Sequence, residues 1–455
     1  MGGHLFALIA GDIALSVSAL IAAIFVRFGS LHEIRGIVFN LWGTRILTFL
    51  VAILFTSLSI GLYVRVNVDE KKDIFIKVLF ETLFSFYFLS LLYYMMPDLI
   101  LGRGLLAISL CVFGLSQFFW HSYYKLKIDK SAFASRILIV GAGCLAEKIG
   151  NLISSINNVY LLTGYVNCSS ETEGHVPPHL IKGNDCEILD IVRREKAHKI
   201  VVALAERSRD LPVNELIACK LDGIEVVDAH SFYERLTGKL LIEDITPGSL
   251  IFSSGFRMTQ MQKTIKRMVD MTFSMVSFIL TLPLLPLIAL AIKIDSPGPV
   301  LFKQVRVGEK EKEFTLYKFR TMRNNAESDT GAVWAEEDDR RVTSVGRFLR
   351  KKRLDEIPQL YNVFKGEMSL IGPRPERPQF VGRLKELIPY YSERHFVKPG
   401  ITGWAQVKYT YGASVEDAFE KLRYDLFYIK HISLFYDLMI MIETARVIFS
   451  GRGGR

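Results

Sequence analysis

Cysteine is scarce in this 455-residue chain, which contains five in all. No two form a Cys-x-x-Cys pair or stand at zinc-ligand spacing, so neither a disulfide framework nor a cysteine metal site is predicted. Such cysteines fit a reducing cytosol. The sequence also lacks a recognisable RNA- or DNA-binding motif, so its net charge of +9, beside long apolar segments, favours anionic lipid headgroups or anionic substrates as partners. The cysteines are Cys111, Cys144, Cys168, Cys186 and Cys219.

Long apolar runs are concentrated in the first 125 residues, which we expect to form a four-helix transmembrane module over 1–125. Four segments approach the roughly 20 residues that cross a bilayer. The first is not expected to be a cleaved signal peptide, because it lacks a basic start and contains Asp12. We interpret Asp12 as an interfacial or paired residue, with a functional intramembrane carboxylate as the alternative. The segments cover about 5–26, 41–64, 74–96 and 104–123.

Basic residues after the second and fourth segments predict the orientation of the module. Lysine and arginine are enriched on the cytoplasmic side of membrane proteins, so both of these ends should face the cytoplasm. Two arginines in the first loop, Arg27 and Arg35, argue the other way. The basic residues are Arg65, Lys71, Lys72 and Lys77 after the second segment, and Lys125, Lys127, Lys130 and Arg136 after the fourth.

A strand, a glycine turn and a helix are predicted from Arg136 onward. Arg136-Ile-Leu-Ile-Val140 precedes Gly141-Ala-Gly143-Cys-Leu-Ala146, which is a G-x-G-x-x-A dinucleotide fingerprint in its usual context. The second strand ends in Val166-Asn167-Cys168, where an NAD enzyme would carry Asp or Glu. Whether this region binds a nucleotide therefore stays open.

The middle of the chain alternates strand and helix patterns, which predicts a Rossmann-like, doubly wound parallel sheet over 132–240. A linker is expected at 241–262, followed by an α-rich catalytic domain at 263–455. Further strands are indicated at 159–166, 199–204 and 224–227, and helices near 185–196 and 211–221.

A fifth apolar stretch at 271–293 is interrupted by Pro283 and Pro286. A straight spanning helix would place the remaining chain outside the cell, but that part is rich in lysine and arginine, which opposes export. A re-entrant helix, bent where prolines remove backbone hydrogen bonds, keeps both flanks cytoplasmic. We expect this form, with a fifth spanning helix and an external domain as the alternative.

Two adjacent carboxylates, Asp355 and Glu356, stand between a basic cluster and the stiff loop Gly372-Pro-Arg-Pro375. Such a pair usually lies on a solvated helix face. Here Pro358 must lie in the first turn if the segment from Asp355 is helical, which places both carboxylates at a helix N-terminus that favours negative charge. Asp355 is predicted to stay ionised and to act as a nucleophile or Mg²⁺ ligand. The cluster consists of Arg347, Arg350, Lys351, Lys352 and Arg353.

Several long motifs follow one another around this pair. They are Gln304-Val-Arg-Val-Gly308, Tyr317-Lys-Phe-Arg-Thr-Met322, Met368-Ser-Leu-Ile-Gly-Pro-Arg-Pro375 and Lys398-Pro-Gly-Ile-Thr-Gly-Trp-Ala-Gln406. Through these motifs residues 260–450 resemble the polyprenyl-phosphate sugar-1-phosphate transferases, or monotopic phosphoglycosyl transferases. With the spans and the Rossmann-like domain in front, the chain resembles the large members that initiate bacterial exopolysaccharide, capsule or O-antigen synthesis. That family usually has Ser-Pro at the membrane break, whereas Leu282 precedes Pro283 here, so a hydroxyl-to-backbone bond should be lost.

The resemblance implies transfer of sugar 1-phosphate from a UDP-sugar to undecaprenyl phosphate, with UMP released and Mg²⁺ as cofactor. Asp355 matches the residue that forms a phosphosugar intermediate, and Glu356 is expected as a metal ligand or a base. A metal ion and arginines must offset the repulsion between a carboxylate and a diphosphate. Phosphate-binding positions are Arg350, Arg374, Lys318 and Arg320, and nucleotide-pocket candidates are Gly400, Thr402 and Gln406.

The resemblance further implies a multi-pass protein of the bacterial inner membrane, with its catalytic domain on the cytoplasmic face. The family and the extra domains favour a homodimer. The main alternative is a membrane-anchored, NAD-dependent sugar-nucleotide dehydratase or epimerase, which needs a Tyr-x-x-x-Lys pair. Tyr361 and Lys365 have this spacing but follow Pro358, far along the chain from the glycine turn, and we interpret them as a coincidence. A non-catalytic scaffold would leave the C-terminal motifs unexplained, and the sequence does not identify the sugar.

Overall fold

The computed structural model describes most of the chain and divides it into two compact units, Met1–Phe232 and Tyr233–Arg455. Part of the predicted linker, residues 245–254, lies outside the described residues, as do Arg35, Arg65 and Lys130. The domain boundaries inferred from the sequence stay predictions. The described residues are 2–29, 42–60, 62–63, 71–127, 135–155, 160–168, 175–204, 211–244, 255–323, 339, 341–409, 412 and 414–450.

Four helices open the first unit, and each is long and apolar enough to cross a membrane. This confirms the four apolar segments predicted from the sequence. Phe49, Ile53, Leu89 and Phe113 are fully buried at the centre of the bundle. The outer faces carry exposed apolar side chains, because such a bundle is solvated by lipid rather than by water. The helices are α1 (Gly2–Phe28), α2 (Trp42–Ile60), α3 (Lys71–Met95) and α4 (Arg103–Lys127).

A five-stranded parallel sheet in the order β3-β2-β1-β4-β5 forms the rest of the first unit. Its central strand is buried throughout its last four residues, because both faces of a parallel sheet are covered by helices. The sequence pattern did not indicate strand β3. The elements are β1 (Ser135–Val140), α5 (Cys144–Ser155), β2 (Tyr160–Asn167), β3 (Ile181–Asn184), α6 (Ile188–Glu195), β4 (Lys199–Val202), α7 (Val213–Leu221), β5 (Glu225–Asp228) and α8 (Ala229–Thr237).

The glycine turn predicted at Gly141 is present between β1 and α5. Gly141 has a φ of +125°, and a Cβ there would lie 2.5 Å from the Ala203 carbonyl oxygen, so glycine is required. Gly143 follows immediately before α5, and its carbonyl accepts the first helical hydrogen bond, from Glu147 N–H. The four cysteines whose side chains are described, Cys111, Cys144, Cys168 and Cys219, are free.

Two helices joined at a sharp bend follow Thr259 in the second unit. Helix α9 (Gln260–Thr281) starts at a Thr259–Gln262 capping box, and α10 (Leu284–Asp295) follows after a bend of 62°. The break coincides with Pro283, and Pro286 falls in the first turn of α10, where its missing N–H has no cost. The hydroxyl expected to be lost is supplied by Thr281, whose Oγ1 donates to the Ser277 carbonyl at 2.8 Å.

Short strands and helices behind this bent pair enclose the remaining core. Strands β6 (Leu301–Val307) and β7 (Glu313–Phe319) form an antiparallel hairpin, and β8 (Ser369–Ile371) pairs in parallel with β9 (Gly400–Thr402). Aromatic residues near the C-terminus, including Tyr424, Phe427 and Tyr436, pack into a hydrophobic cluster of this unit around Tyr428 and Leu422. The helices are α11 (Ser344–Lys351), α12 (Gln359–Lys365), α13 (Pro378–Leu387), α14 (Trp404–Lys408), α15 (Val415–Lys430) and α16 (Leu434–Ser450).

Candidate active site

The Asp355–Glu356 pair lies in a 3-10 turn, Leu354–Glu356, and not in the first turn of a longer α-helix. The helix expected from Asp355 is therefore wrong in its start: α12 begins at Gln359. Pro358 cannot donate to a preceding carbonyl, so the chain makes successive i to i+3 bonds before it can form α-helical ones. Arg353, with a φ of 54°, reverses the backbone just before the turn and directs both carboxylates inward.

Glu356 is the ion-paired member of the two carboxylates. Its Oε1 lies 3.1 Å from Arg374 Nη1 and 3.5 Å from Lys318 Nζ. Its Oε2 lies 3.8 Å from Arg353 Nη1. Burial works against ionisation of Glu356, yet these cations lower its pKa to about 2. Glu356 is thus an ionised carboxylate with three cationic side chains beside it.

Asp355 has the opposite environment although it is the adjacent residue. Among the described residues, none donates a hydrogen bond to its carboxylate, which is buried with 8% of its surface exposed. Burial, and then the charge of Glu356, raise the pKa of Asp355 above the usual range, against the opposing effect of the nearby cations. Its oxygens remain available to an incoming electrophile.

The environment of the pair also shifts the pKa values of two of its cations, Lys318 and Arg350. Burial, and then the charge of Arg374, lower the pKa of Lys318 to about 8, although both carboxylates oppose the shift. Arg350 donates from Nε to Thr321 Oγ1 at 2.9 Å. Burial lowers the pKa of Arg350, and Asp355 is the largest opposing influence, so this arginine faces the unpaired carboxylate. The structure therefore brings Lys318, Arg350 and Arg374 to the pair, and their predicted phosphate-binding role stays a prediction.

The loop that carries Arg374 is fixed through its backbone. Gly372 N–H donates to the Thr402 carbonyl, and Gly400 N–H donates to the Pro373 carbonyl, both at 2.9 Å. A Cβ on Gly372 would lie 2.3 Å from the Lys398 carbonyl oxygen, so no larger residue fits. The Lys398–Gln406 segment thus positions the arginine loop.

Arg394 is a positioning residue that the sequence did not indicate. Its Nη2 donates to the Arg374 carbonyl at 3.0 Å and to Asp425 Oδ2 at 2.8 Å, while Nη1 donates to the Tyr391 hydroxyl at 2.7 Å. Arg394 and Asp425, which form an ion pair, are both almost completely buried. The available signal was Asp425, one of two aspartates in the mainly apolar stretch 424–448, because a buried carboxylate needs a cation.

Arg320 does not join the pair. Its guanidinium is buried and donates to the carbonyls of Ser296 at 2.6 Å and Pro297 at 2.8 Å, at the end of α10. These bonds cap α10, which argues against the predicted phosphate contact, because the arginine is engaged elsewhere.

The nucleotide-pocket candidates lie around strand β9. Gly400 begins β9, Thr402 Oγ1 lies 2.7 Å from Thr444 Oγ1, and Gln406 Nε2 donates to the Ile401 carbonyl at 3.2 Å. These three contacts are structural. Gln406 Oε1 is buried without a hydrogen-bond partner among the described residues, and the predicted nucleotide role stays a prediction.

Tyr361 and Lys365, the pair required by the oxidoreductase alternative, have other contacts. Tyr361 packs edge-on against Tyr317, with ring centroids 5.7 Å apart, and Lys365 pairs with Glu367. Both belong to the second unit, whereas the glycine turn belongs to the first. No observation here favours the alternative.

The donor set of the pair fits a magnesium ion that relies on substrate oxygens. Among the described residues, no group of three or more His, Cys, Asp and Glu side chains is arranged to hold a metal ion. Mg²⁺ often takes only one or two protein carboxylates together with substrate phosphates. Asp355 and Glu356 Oε2 accept no hydrogen bond from the described residues, and both are suited to that role.

The pair and its surrounding cations define a cationic site built around two carboxylates. The profile of the bacterial sugar transferase family matches residues 261–451. The chain belongs to this family. It is 39% identical over 189 residues to the exopolysaccharide production protein PSS of Rhizobium leguminosarum bv. phaseoli, which covers 40% of this chain and 94% of that protein.

Longer relatives are matched over part of their length. The UDP-N-acetylgalactosamine-undecaprenyl-phosphate N-acetylgalactosaminephosphotransferase of Aeromonas hydrophila is 43% identical over 243 residues, 53% of this chain and 56% of the relative. The UDP-glucose:undecaprenyl-phosphate glucose-1-phosphate transferase of Escherichia coli (strain K12) is 40% identical over 285 residues, 59% of this chain and 58% of the relative. The chain thus aligns with a little over half the length of each of these relatives.

Proposed function

We propose that this protein transfers sugar 1-phosphate from a UDP-sugar to undecaprenyl phosphate and releases UMP, as the first membrane step of polysaccharide synthesis. The observation that carries the proposal is the contrast between the surroundings of Asp355 and those of Glu356. Asp355 is buried without a hydrogen-bond partner among the described residues, while Glu356 beside it gathers Arg374, Lys318 and Arg353. A nucleophile next to several fixed cations suits attack on a diphosphate.

The reaction proceeds in two displacements at one phosphorus atom. An Asp355 oxygen attacks the phosphorus that carries the sugar, a new P–O bond forms, and the bond to the UMP phosphate oxygen breaks. UMP leaves with the electron pair of that bond. An oxygen of undecaprenyl phosphate then attacks the same phosphorus, releases the Asp355 carboxylate and forms the lipid diphosphate.

The cations act on the charge that develops in both displacements. Arg374 is half exposed and fixed by its loop, so its guanidinium can bind two phosphate oxygens at once. Lys318 and Arg350 offset the repulsion between the diphosphate and Asp355. Mg²⁺ held by Asp355 and Glu356 would neutralise further phosphate charge.

The bent pair α9–α10 is proposed to be the re-entrant membrane element. Its outer surface carries large exposed apolar residues such as Phe273, Leu280 and Leu287, which are 50%, 70% and 63% exposed. Side chains of this kind favour lipid over water. Entry and return on one side would keep the active site at the inner-membrane interface on the cytoplasmic face, where a soluble nucleotide-sugar and a lipid phosphate can both reach it.

The sheet of the first unit is proposed to be Rossmann-like. Its strand order, 3-2-1-4-5, and the glycine turn after β1 are those of doubly wound nucleotide-binding folds. The second strand ends in Asn167 and not in an acidic residue, so a bound NAD is not part of the proposal.

Turnover and a covalent adduct test the function. The full-length protein in nanodiscs is incubated with a panel of UDP-sugars, undecaprenyl phosphate and Mg²⁺, and UMP release is measured. We expect release with at least one UDP-sugar, its loss on chelation of Mg²⁺, and a phosphosugar adduct that peptide mass spectrometry locates on Asp355 when the lipid is omitted.

The matched variants separate chemistry from folding. Asp355→Asn should remove both adduct and turnover, whereas Glu386→Gln, which neutralises an exposed carboxylate on α13, should change neither. Near-normal turnover in Asp355→Asn would falsify the covalent mechanism. Absence of UMP release with every UDP-sugar would overturn the proposed reaction. Cysteines introduced beyond residue 300 should react with an impermeant reagent only from the cytoplasmic side, and external labelling would exclude the re-entrant arrangement.

A further inference from the structure

A polar network is buried inside the four-helix bundle, outside the proposed reaction. Asp12 on α1 has no exposed surface, and its Oδ2 accepts from the Tyr63 hydroxyl at 2.8 Å and from Gln117 Nε2 at 3.0 Å. His121 Nε2 on α4 lies 3.1 Å from Asp12 Oδ1. The Asp12 that the sequence left between two interpretations is therefore a paired residue.

The network continues to a second buried carboxylate. Gln117 Nε2 also donates to Ser57 Oγ at 3.3 Å, and Ser57 Oγ lies 3.4 Å from Oε1 of Glu81 on α3. Ser85 Oγ donates to the same Glu81 oxygen at 3.0 Å. All four helices thus contribute to one chain of hydrogen bonds that joins Asp12 to Glu81.

Two acceptor atoms of this chain lack a donor. Glu81 has no exposed surface, and its Oε2 receives no hydrogen bond from any described residue. The same is true of Gln117 Oε1 within the described part of the chain. A buried acceptor without a donor costs roughly 1–3 kcal/mol, and more when it carries a charge. Glu81 Oε2 is therefore suited to an electropositive partner.

The hydrogen-bond network between Asp12 and Glu81 stops at apolar side chains at one end. Toward the opposite end of the bundle lies the apolar core that contains Phe49, Ile53, Leu89 and Phe113, each fully buried. At its other end the network reaches Tyr63, just beyond the end of α2. The arrangement is therefore a one-sided site and not a path across the bundle.

We propose that Glu81 is a proton-binding site in the membrane module, and that the chain through Ser57 and Gln117 connects it to Asp12 and His121. A proton on Oε2 removes the uncompensated charge of a carboxylate inside a lipid-solvated bundle. A metal ion suits the site less well, because the described residues contain no cluster of three His, Cys, Asp or Glu side chains placed to hold one.

Titratable groups on every neighbouring element bear on this site. Asp12 faces it from α1, Tyr63 from the end of α2 and His121 from α4. On α3 itself, Lys77 lies one helical turn before Glu81. Asp12, Tyr63 and His121, which share these hydrogen bonds, carry no fixed positive charge, so among them a proton is the neutralising species within reach.

Infrared spectroscopy and chemical modification test the proposal on the full-length protein in nanodiscs. A protonated carboxyl absorbs above the amide I band, and we expect such a band that disappears reversibly as the pH is raised. The band should be absent in Glu81→Gln and unchanged in Asp98→Asn, which alters an exposed carboxylate of the same unit. Dicyclohexylcarbodiimide should modify Glu81 in the wild-type protein, as located by peptide mapping, so the result does not depend on the folding of a variant.

Four outcomes would overturn the assignment. Glu81 left unmodified at every pH at which the protein stays folded would exclude it. A band lost in Asp12→Asn but retained in Glu81→Gln would place the proton on Asp12. Displacement of the band by Na⁺ or K⁺ at constant pH would identify a metal cation as the occupant. Modification of Glu81 that does not decline with rising pH would contradict a titrating proton at this carboxylate.

Discussion

At the residue scale, two adjacent carboxylates of one turn have different properties because they face different neighbours. Glu356 touches three cations and its pKa falls to about 2, whereas burial raises the pKa of Asp355. The division of roles proposed for them, nucleophile and fixed anion, follows from this difference. In the proposed reaction, Glu356 would hold Arg374 and Lys318 in place before the diphosphate arrives.

Arg394 is predicted to act through the position of Arg374. Arg394→Gln leaves Asp425 buried without a cation and should destabilise the protein by about 3–5 kcal/mol. The double variant with Asp425→Asn should recover much of that stability but not the hydrogen bond to the Arg374 carbonyl. We expect its kcat/KM for the UDP-sugar to stay at least about tenfold low. Thermal unfolding and UMP release measure the two effects, and full recovery of activity in the double variant would contradict the positioning role.

His395 is predicted to make stability depend on pH. Burial, and then the neighbouring Arg394, lower the pKa of His395 to about 4, below the ordinary value of about 6.5. The unfolded state therefore binds one more proton between these values. The contribution of neutral His395 to the free energy of unfolding is complete above about pH 6.5. It is lost as the pH falls toward 4, by at most about 1.4 kcal/mol per pH unit.

Thermal unfolding across this pH range checks the prediction for His395. His395→Gln should show a shallower decline in unfolding temperature than the wild-type protein, while His179→Gln, at an exposed position, should follow the wild type. Equal slopes in all three proteins would show that His395 is not the responsible group.

At the element scale, local sequence and its neighbours decide where helices break. Pro283 and Pro286 separate α9 from α10 as the sequence indicated, and Thr281 supplies a backbone-directed hydroxyl one residue earlier than the family pattern. Pro358 likewise delays α12. In each case the missing N–H removes a specific bond, so the break is readable from sequence although its angle is not.

Replacing both prolines of the bend is predicted to straighten it. Pro283→Ala with Pro286→Ala restores two backbone donors, and a continuous helix would separate the Cα atoms of Met268 and Leu290 by about 33 Å. Spin labels at these two exposed positions should therefore lie farther apart than in the wild-type protein. UMP release should fall because the active site would lose its proposed place at the membrane. Pro378→Ala, at the first residue of α13, is the control, and an unchanged distance in the double variant would refute this explanation.

At the scale of the whole molecule, the second unit begins earlier than the family match. Tyr233 and Leu240 belong to it through Arg423, which donates to the Tyr233 hydroxyl at 2.5 Å and to the Leu240 carbonyl at 2.9 Å. Glu234 adds an ion pair with Lys430 at 2.8 Å. Residues 233–240 are thus part of the fold of this unit.

Fragments of different length test this boundary. A fragment of residues 233–455 should be more stable than one of residues 259–455 by about 3 kcal/mol or more, because the shorter one leaves Arg423 and Lys430 without these partners. Denaturation in the same detergent measures the difference. Tyr233→Phe in the longer fragment removes one hydroxyl and should cost about 1 kcal/mol. Equal stability of the two fragments would place the boundary at α9.

The sequence by itself determined the features that depend on local chemistry. Apolar length predicted four membrane-compatible helices, glycine and strand patterns predicted the parallel sheet, and prolines predicted the bend. It also indicated the cations Lys318, Arg350 and Arg374 around Asp355, because the order of the motifs can be read directly from the linear sequence.

Only the tertiary structure decided which charges meet. It assigned Arg320 to the end of α10, made Arg394 the support of Arg374, and joined Asp12 to Glu81 through four helices. Strand β3 also escaped prediction, because its four residues carry no distinct period. The physical reason is common to all of these: burial, ion pairing and pKa depend on distances between residues far apart in sequence, and those distances exist only after the chain has folded.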